Sequence, residues 1–263
     1  MLPRLLLMML LALAAIRADA GPLRIVTAEE PPTNYTEHGD LQGMSTEIVR
    51  ALLTDLKLPQ DIEVLPWARA LQLALNEPDV LIFTAGKTPE RVQHGFTFIG
   101  PVTTRRHILY ALDKHTPAIK SLEDVRLLGL RIGGLRGDWR TAYFAARGIP
   151  VEETATHLQT RRKLQQGRID LMISSDLEMA FHALRDAPEQ PLKEAYVFDQ
   201  RDAYLLLSRQ TEQKHIQAWE AAFLRLQKSG FFSLGAKRWS AKLGAPIDYK
   251  PESGYFVSQQ KRP

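Results

Sequence analysis

Short apolar runs alternate with segments of helical periodicity along most of this chain. Residues 80–84 are apolar at nearly every position, as in a strand buried on both faces of a parallel sheet. The segment that Ser45 is expected to cap places its apolar residues on one helical face, at Ile48, Ala51, Leu52 and Leu56. Strands that alternate with helices at this spacing predict βαβ units and an α/β fold.

The other predicted elements follow the same rules. Further strands are predicted at residues 23–28, 62–65, 107–112, 128–132, 169–174, 196–198 and 204–208. Further helices are predicted at residues 67–75, 157–166, 212–228 and 231–243, and after the capping residues Ser121, Asp138 and Asp176. The chain beyond Pro246 is expected to be irregular. This pattern fits either one large sheet or two lobes, and composition does not decide between them.

The N-terminus has the features of an export signal. Arg4 precedes twelve apolar residues, 5–16, and Ala18, Asp19 and Ala20 form a small-x-small cleavage site. The alternative is an uncleaved membrane anchor, but twelve residues make only about 18 Å of helix against a hydrocarbon core of about 30 Å. We therefore predict a signal peptide at residues 1–20, cleaved after Ala20, and a protein located in the periplasm.

Composition and charge exclude several functional classes. The chain has no cysteine, so we expect no disulfide framework, no thiol nucleophile and no cysteine-rich metal site. The net charge is only +4, and aromatic residues do not interleave with the basic runs, so we expect no nucleic-acid partner. The seven histidines form no metal-binding or catalytic spacing. We therefore expect no metal, no cofactor and no catalytic residue.

Several segments, in order along the chain, resemble the bacterial extracellular solute-binding proteins of family 3. They are residues 41–49 (LQGMSTEIV), the apolar strand 79–84 with its Thr-x-Glu-Arg turn at residues 88–91, the Phe-rich stretch 96–102, the Gly-x-x-Asp strand at 167–170 and the closing segment 226–232 with the later Trp239. Each match alone is weak, but their order and spacing over residues 23–243 are specific.

This resemblance implies a two-lobed α/β periplasmic-binding-protein fold of type II with a two-segment hinge. The first lobe is then expected to hold residues 21–107 and 201–263, including the C-terminal tail, and the second lobe residues 108–200. It also implies a monomer that captures a small-molecule ligand, an amino acid or related carboxylate, and delivers it to an inner-membrane ABC permease.

Four residues around the Thr-x-Glu-Arg turn are the first candidates for ligand binding. In proteins that this chain resembles, the arginine of the turn holds the ligand's carboxylate, and Arg91 has the planar guanidinium for two parallel bonds. Thr84, Gly86 and Thr88 form a strand end and turn that expose N–H and hydroxyl groups to an anion. The alternatives are a solvated Arg91 and an ordinary turn. Thr84 and Gly86 also depart from the family's common Gly and Thr.

Three further candidates in the first lobe are Trp67, Tyr35 and Glu30. The two aromatic residues are able to enclose the ligand and attract an ammonium group. Glu30 follows the first strand and is able to accept a bond from a ligand amine. The alternatives are core packing for Trp67, an exposed Tyr35 and a solvated loop carboxylate for Glu30.

The second lobe supplies five candidates. Arg136, Gly137 and Asp138 lie between a strand and a helix, where backbone N–H groups suit an anion. The alternative is a tight glycine loop. Ser175 stands where many similar amino-acid binders have an aspartate for the ligand's amine, and Asp176 follows it by one residue. Asp176 also suits the role of a helix cap.

Two other functions remain open from the sequence. Some enzymes share the two-lobed fold, including dehydratases of aromatic amino-acid precursors, and these would use an acid such as Glu30 or Asp176. A stand-alone ligand sensor is the other alternative, because fold does not fix function.

Overall fold

A computed structural model describes residues 23–185 and 191–259 as an α/β protein. Its strands are β1 (Arg24–Thr27), β2 (Tyr35–Glu37), β3 (Asp40–Gln42), β4 (Glu63–Val64), β5 (Val80–Gly86), β6 (Thr97–Leu112), β7 (Ile132–Leu135), β8 (Val151–Thr154), β9 (Leu171–Ser175), β10 (Leu192–Leu207), β11 (Ile247–Lys250) and β12 (Gly254–Val257). The expected signal peptide lies outside the described residues.

The α-helices follow the strands in alternation, as the sequence pattern predicts. They are α1 (Met44–Asp55), α2 (Trp67–Asn76), α3 (Pro89–His94), α4 (Leu122–Leu127), α5 (Trp139–Ala145), α6 (His157–Gln165), α7 (Asp176–Arg185), α8 (Gln213–Lys228) and α9 (Phe231–Leu243). A 3₁₀ turn spans Asp113–His115. Within the described ranges, none of the helices is both long and apolar enough to cross a bilayer.

Two long antiparallel strands connect the two halves of the main sheet. The strand order is β4-β1-β5-β10-β6-β9-β7-β8, so β6 and β10 occupy the centre. The first half of β6 pairs with the end of β10, and this part of β10 also pairs with β5. The second half of β6 pairs with β9. The chain therefore crosses between the halves twice, which is the connection expected of a two-segment hinge.

Each half has its own hydrophobic core, and one helix joins the two. The first core includes Phe83 and Trp239, and the second includes Phe144 and Ile173. Helix α7 starts at the end of β9 in the second half, but its Leu177 and Phe181 belong to the first core. The fold is therefore two-lobed, with α7 packed between the lobes.

The C-terminal segment differs from its sequence prediction. Instead of an irregular tail, β11 and β12 form an antiparallel hairpin, and Tyr255 of β12 lies in register with Thr103 of β6. The Tyr255 ring is buried in the first core. The hairpin is stabilised by tertiary packing, and the short alternating pattern of this segment carries no information about that packing.

Three other predictions were wrong in detail. The segments 196–198 and 204–208 are parts of the single strand β10. The strand predicted at 128–132 is displaced to Ile132–Leu135, because helix α4 and its end occupy the residues before it.

Helix caps account for the last differences. Ser45 lies inside α1, and the N-cap is Gly43, with φ 129°. A Cβ at Gly43 would lie 2.2 Å from the Thr33 carbonyl oxygen, so the close approach requires glycine. Asp176 is the first residue of α7, and the Ser175 hydroxyl instead accepts the Glu178 N–H at 3.2 Å.

The predicted capping box at Ser121 is confirmed and provides a stability test. The Ser121 hydroxyl accepts the Asp124 N–H, and the Asp124 carboxylate accepts the Ser121 N–H at 2.9 Å. We expect Ser121→Ala to lower the free energy of unfolding by about 0.5–2 kcal/mol, because the Asp124 N–H loses its partner. Urea unfolding measures this loss. Ser121→Asp keeps a capping oxygen and serves as the control, and equal losses in both variants would contradict the capping role.

Candidate ligand-binding cleft

Strand directions bring the carboxyl ends of both half-sheets towards each other. Strands β1, β4 and β5 are parallel in the first lobe, and β7, β8 and β9 are parallel in the second. Strand β10 is antiparallel to both β5 and β6, so β5 runs in the same direction as β6, towards the second lobe. Strand β9 is antiparallel to β6 and therefore points towards the first lobe. Ligands of open α/β sheets bind beyond the carboxyl ends of strands.

The size of the space between these ends follows from the register. The end of β5, at Gly86, is level with Ala203 and hence with Thr103. The end of β9, at Ser175, is level with His107. The two ends are therefore separated by the four residues from Thr103 to His107, or about 13 Å at about 3.3 Å per residue. This gap, which we call the cleft, fits a small molecule.

The predicted site residues lie at these inner strand ends. Glu30 follows β1, Trp67 follows β4, Thr84 and Gly86 end β5, and Thr88 and Arg91 lie just beyond it. In the second lobe, Arg136, Gly137 and Asp138 follow β7, while Ser175 and Asp176 lie at the end of β9. The fold thus collects residues from separate parts of the chain on two facing edges.

Arg91 and Trp67 form the polar and aromatic part of the first edge. Arg91 Nη1 donates to the Gly86 carbonyl at 2.6 Å, and its guanidinium carbon lies 5.1 Å from the centre of the Trp67 ring. Within the described ranges, no carboxylate forms an ion pair with Arg91. Burial lowers the Arg91 pKa and nearby Arg201 adds to this effect, whereas Glu90 and Glu30 oppose it. The Trp67 side chain keeps 37% of its surface exposed.

The residues between β5 and Arg91 shape the backbone rather than the open surface. Thr84 is buried and has a left-handed φ of 62°, a rare conformation for a β-branched residue. Thr88 is the N-cap of α3 and accepts the Arg91 N–H at 3.4 Å. These contacts fix the direction in which α3 leaves the sheet, and hence where Arg91 begins.

Glu30 forms an ion pair at the floor of the cleft. Its carboxylate accepts Arg105 Nη1, while Arg105 Nη2 donates to the Thr33 hydroxyl at 2.6 Å. Burial by the surrounding protein raises the Glu30 pKa, and Arg105 lowers it. The carboxylate of Glu178 in the second lobe raises the Glu30 pKa further. The Glu30 side chain nevertheless keeps 40% of its surface exposed. A group enclosed by protein but open to solvent has the surroundings expected at the bottom of a cleft.

Tyr35 lies in a different environment from Trp67. It is buried, and its ring meets Phe181 of α7 edge-on at 4.9 Å between centres. Arg185 of α7 pairs with Glu37 next to it. Tyr35 therefore packs between the lobes at the contact made by α7.

The second edge is dominated by a buried ion-pair cluster. Arg140 donates to Asp138 through Nε at 3.0 Å and to Glu178 through Nη1 at 2.6 Å. Glu178 also accepts the Ser175 N–H at 3.0 Å. Although burial disfavours its charge, the two carboxylates raise the Arg140 pKa. Arg140 likewise lowers the Glu178 pKa against the opposing effect of burial. These three residues, which we call the Arg140 cluster, satisfy one another's hydrogen-bonding groups.

The other candidate residues of the second edge also have structural roles within the protein. Arg136 pairs with Glu153 at 3.3 Å, and its side chain is 74% exposed. Gly137 has a φ of 73° in the turn before Asp138, which caps α5. Asp176 accepts the Arg106 N–H at 3.2 Å and Arg106 Nε at 3.3 Å.

Three residues that the sequence reasoning missed complete the cleft. Trp139 follows Asp138 and keeps 39% of its surface exposed. The guanidinium of Arg201, on β10, lies 3.8 Å from the Trp139 ring centre, and His107, on β6, meets this ring edge-on at 4.8 Å. One feature of the sequence points to this region: charged residues interrupt otherwise apolar strands. Arg105 and Arg106 interrupt β6, and residues 199–202 interrupt β10. A polar interruption in a central strand indicates a functional position.

The buried position of His107 predicts a stability that depends on pH. Burial lowers the His107 pKa to about 3, and Arg140 and Arg105 add to this. An unfolded histidine has a pKa of about 6.5, so between these values the unfolded chain binds a proton that the folded protein does not. We expect stability to fall as pH drops below about 6.5, by up to about 1.4 kcal/mol per pH unit from this residue.

His107→Phe keeps a packed ring and should remove this contribution. Urea unfolding of wild type and variant at intervals from pH 7.5 to 4.5 measures the difference. The variant should lose less stability than the wild type towards acid pH, whereas replacement of exposed His115 with glutamine should not change the slope. Parallel curves for His107→Phe and wild type would exclude His107 as the group concerned.

Comparison with known protein families decides the identity of the fold. The family model of the bacterial extracellular solute-binding proteins, family 3, matches residues 23–242. The chain belongs to this family. The assignment confirms the resemblance drawn from the order of the sequence segments. As a family 3 solute-binding protein, it has the type of fold that holds a small molecule between two lobes.

Solved structures confirm the fold of this solute-binding protein. A histidine kinase sensor domain with similarity to periplasmic binding proteins matches with a TM-score of 0.69 at 17% identity, covering 83% of this chain and 96% of that one. The GluR0 ligand-binding core of Nostoc punctiforme, in complex with L-glutamate, matches with a TM-score of 0.66 at 18% identity, covering 83% and 99%. At such low sequence identity, the two structural matches support the type II periplasmic-binding-protein fold and no particular ligand or role.

One curated relative is an enzyme. The membrane-bound lytic murein transglycosylase F of Ectopseudomonas mendocina (strain ymp) is 25% identical over 180 residues, which are 65% of this chain and 36% of that protein. The family 3 protein therefore spans about a third of the length of this relative.

Proposed function

We propose that this family 3 protein captures a small carboxylate ligand, an amino acid or a related acid, by closing its two lobes, and that it is not an enzyme. Arg91 carries the proposal: it is a cation at the cleft that has a carbonyl partner but no carboxylate partner among the described residues. A half-buried guanidinium in this state is suited to a ligand carboxylate through charge-assisted bonds. Trp67, 5.1 Å away, offers an exposed aromatic face beside it.

The positions of the charged groups support the proposed closure of the lobes. In this proposal, residues 21–107 and 201–263 form the first lobe and residues 108–200 the second, with the hinge where β6 and β10 cross. Glu30 of the first lobe is close enough to Arg140 and Glu178 of the second for both to affect its pKa. Closure around a ligand excludes water and strengthens its hydrogen bonds.

The cellular role is part of the same proposal. Cleavage after Ala20 would release the protein into the periplasm, where a ligand-loaded monomer would dock on an inner-membrane ABC permease. A sensor role is the second candidate, and the likeness to a kinase sensor domain, with a TM-score of 0.69, favours keeping it. The two acids proposed for a dehydratase, Glu30 and Asp176, are held by Arg105 and Arg106.

A ligand screen tests the proposed function. The purified chain without residues 1–20 is heated with amino acids, small organic acids, polyamines and aromatic precursors, and mass spectrometry checks each mixture for product. A ligand at about 100 times its Kd adds about 2.7 kcal/mol of stability, which a melting curve resolves. A shift with a carboxylate and no product supports the proposal. Turnover, or no shift with any carboxylate, contradicts it.

A further inference from the structure

Three loops form the end of the second lobe that lies farthest from the cleft. They lead into the amino ends of β7, β8 and β9, whose carboxyl ends point towards the cleft. The loops are residues 126–131, 147–150 and 167–170, which we call the distal face. They lie side by side, because Arg131 Nη2 donates to the Gly167 carbonyl at 2.7 Å, and residues 129–132 line one groove together with residues 148–152. A contact made by the distal face leaves the cleft open.

Two neighbouring leucines project from the distal face into solvent. Leu127 is 75% exposed and Leu128 is 56% exposed, at the end of α4. The other exposed leucines of the described ranges, at positions 158, 224 and 234, each stand alone in the sequence. A single exposed leucine is ordinary, whereas adjacent exposed apolar side chains indicate a surface that meets another apolar phase.

The turn that carries these two leucines is fixed by its own hydrogen bonds. Helix α4 is followed by the left-handed Gly129, with φ 62°. The Gly129 N–H donates to the Arg126 carbonyl and the Leu130 N–H to the Val125 carbonyl, both at 3.0 Å. The apolar contact that usually accompanies such a helix end is available from Val125, which is buried, and Leu130, which packs against the second core. The two exposed leucines are therefore not needed to close the helix.

Positive charge is in excess around the leucines. Each acidic side chain near the distal face has a partner within the protein. The pairs are Glu123 with Arg126, Glu152 with Lys163 and Asp170 with Arg131, and Asp124 belongs to the capping box of α4. Arg147 and Arg168 are also exposed, and neither pairs with a carboxylate in the part of the chain that the structure describes. Arg147 Nη1 donates instead to the Tyr143 carbonyl at 2.9 Å.

We propose that the distal face docks on the surface of a bilayer that contains anionic phospholipid. Leu127 and Leu128 enter the boundary between headgroups and acyl chains, and the surplus arginines face the lipid phosphates. Arg126 and Arg131 bracket the leucines in the sequence, and their apolar stems can follow the leucines while their guanidinium groups stay among the headgroups. A projecting apolar pair with cations around it matches the layers of such a bilayer. This docking goes beyond the proposed function and does not depend on the ligand.

Vesicle sedimentation tests the docking. The chain from Gly21, which contains every described residue, is mixed with vesicles of phosphatidylcholine alone or of phosphatidylcholine with phosphatidylglycerol. We expect at least tenfold tighter binding to the vesicles that contain phosphatidylglycerol, and weaker binding to them as salt is added, because salt screens the attraction between arginine and phosphate. No binding, or equal binding to both kinds of vesicle, would overturn the proposal.

Two double variants test the part played by the leucines. Leu127→Ser with Leu128→Ser should weaken binding to the phosphatidylglycerol vesicles at least tenfold, because the apolar side chains that enter the lipid are lost. Leu224→Ser with Leu234→Ser is the matched control, since these leucines are 54% and 58% exposed on the first lobe, and it should bind as the wild type does. Urea unfolding first compares the stability of both variants with that of the wild type. Equal affinities of the two double variants would contradict the docking.

A fluorescent label distinguishes insertion from adsorption and needs only one conservative change. Because the chain has no cysteine, Leu127→Cys and Leu224→Cys each provide a single site for a dye whose emission depends on its surroundings. The dye at position 127 should brighten and shift to shorter wavelength with phosphatidylglycerol vesicles, because it leaves water, and the dye at position 224 should not. A response at position 224 as large as that at position 127, or no response at position 127, would overturn the proposal.

Discussion

Arg91→Ala is expected to weaken carboxylate binding by about 2–5 kcal/mol, because the ligand's anion would be left buried without its partner. This loss corresponds to a rise in Kd of about 30- to 4,000-fold at about 1.4 kcal/mol per tenfold change. Calorimetric titration with the carboxylate identified by the ligand screen measures it. Stability should change little, because the Arg91 guanidinium makes only one described hydrogen bond, to the Gly86 carbonyl.

Two further variants make the Arg91 test specific. Arg91→Lys keeps the charge but loses the two-pronged geometry, so its affinity should fall between those of Arg91→Ala and the wild type. Arg126→Ala removes an exposed arginine that pairs with Glu123 on α4, and should leave Kd unchanged. Wild-type affinity in Arg91→Ala would show that the carboxylate binds elsewhere.

Arg140→Ala should cause the largest loss of stability, about 3–5 kcal/mol, because it leaves Asp138 and Glu178 as uncompensated charges in the second lobe. The side chains of Arg140, Asp138 and Glu178 are only 5%, 13% and 10% exposed, so solvent screens them little. At about 2–4 °C per kcal/mol for a protein of this size, Tm should fall by roughly 6–20 °C. Urea and thermal unfolding measure both quantities.

A triple variant distinguishes charge from packing in the Arg140 cluster. Arg140→Met combined with Asp138→Asn and Glu178→Gln removes all three charges at similar volume, and should recover most of the stability. Arg131→Ala breaks the exposed pair with Asp170 and should have a much smaller effect. If Arg140→Ala were as stable as wild type, the cluster would not hold the second lobe together.

Local patterns predicted the elements whose stability is local. The continuous apolar run at 80–84 is the core of β5, the helix predicted at 231–243 is α9 with the same bounds, and the capping box at Ser121 is present. In these segments, periodicity and capping chemistry lie within a few residues of each other. The resemblance of segment order also predicted the family, which the match over residues 23–242 confirms.

Elements stabilised by distant partners were missed or divided. Strand β10 runs unbroken through the charged residues 199–202 because β6 pairs with it along its length. The hairpin of β11 and β12 depends on Tyr255, which is buried beside β6 and α9. For the same reason the sequence pointed to Arg91 and Trp67 but not to Trp139, Arg201 or His107. These three belong to one site only after the two long strands have crossed.

The position of β10 has a consequence for how the chain is made. β5 and β6 follow each other closely in sequence, yet β10 lies between them, and its Leu205, Leu206 and Leu207 are fully buried there. Until the ribosome has added that late strand, the facing edges of β5 and β6 have no partner. The segment from β7 to β9, in contrast, is continuous and its contacts are short in sequence, so it is free to fold earlier. An unfinished chain therefore leaves the facing edges of β5 and β6 unpaired until the residues of β10 have been made.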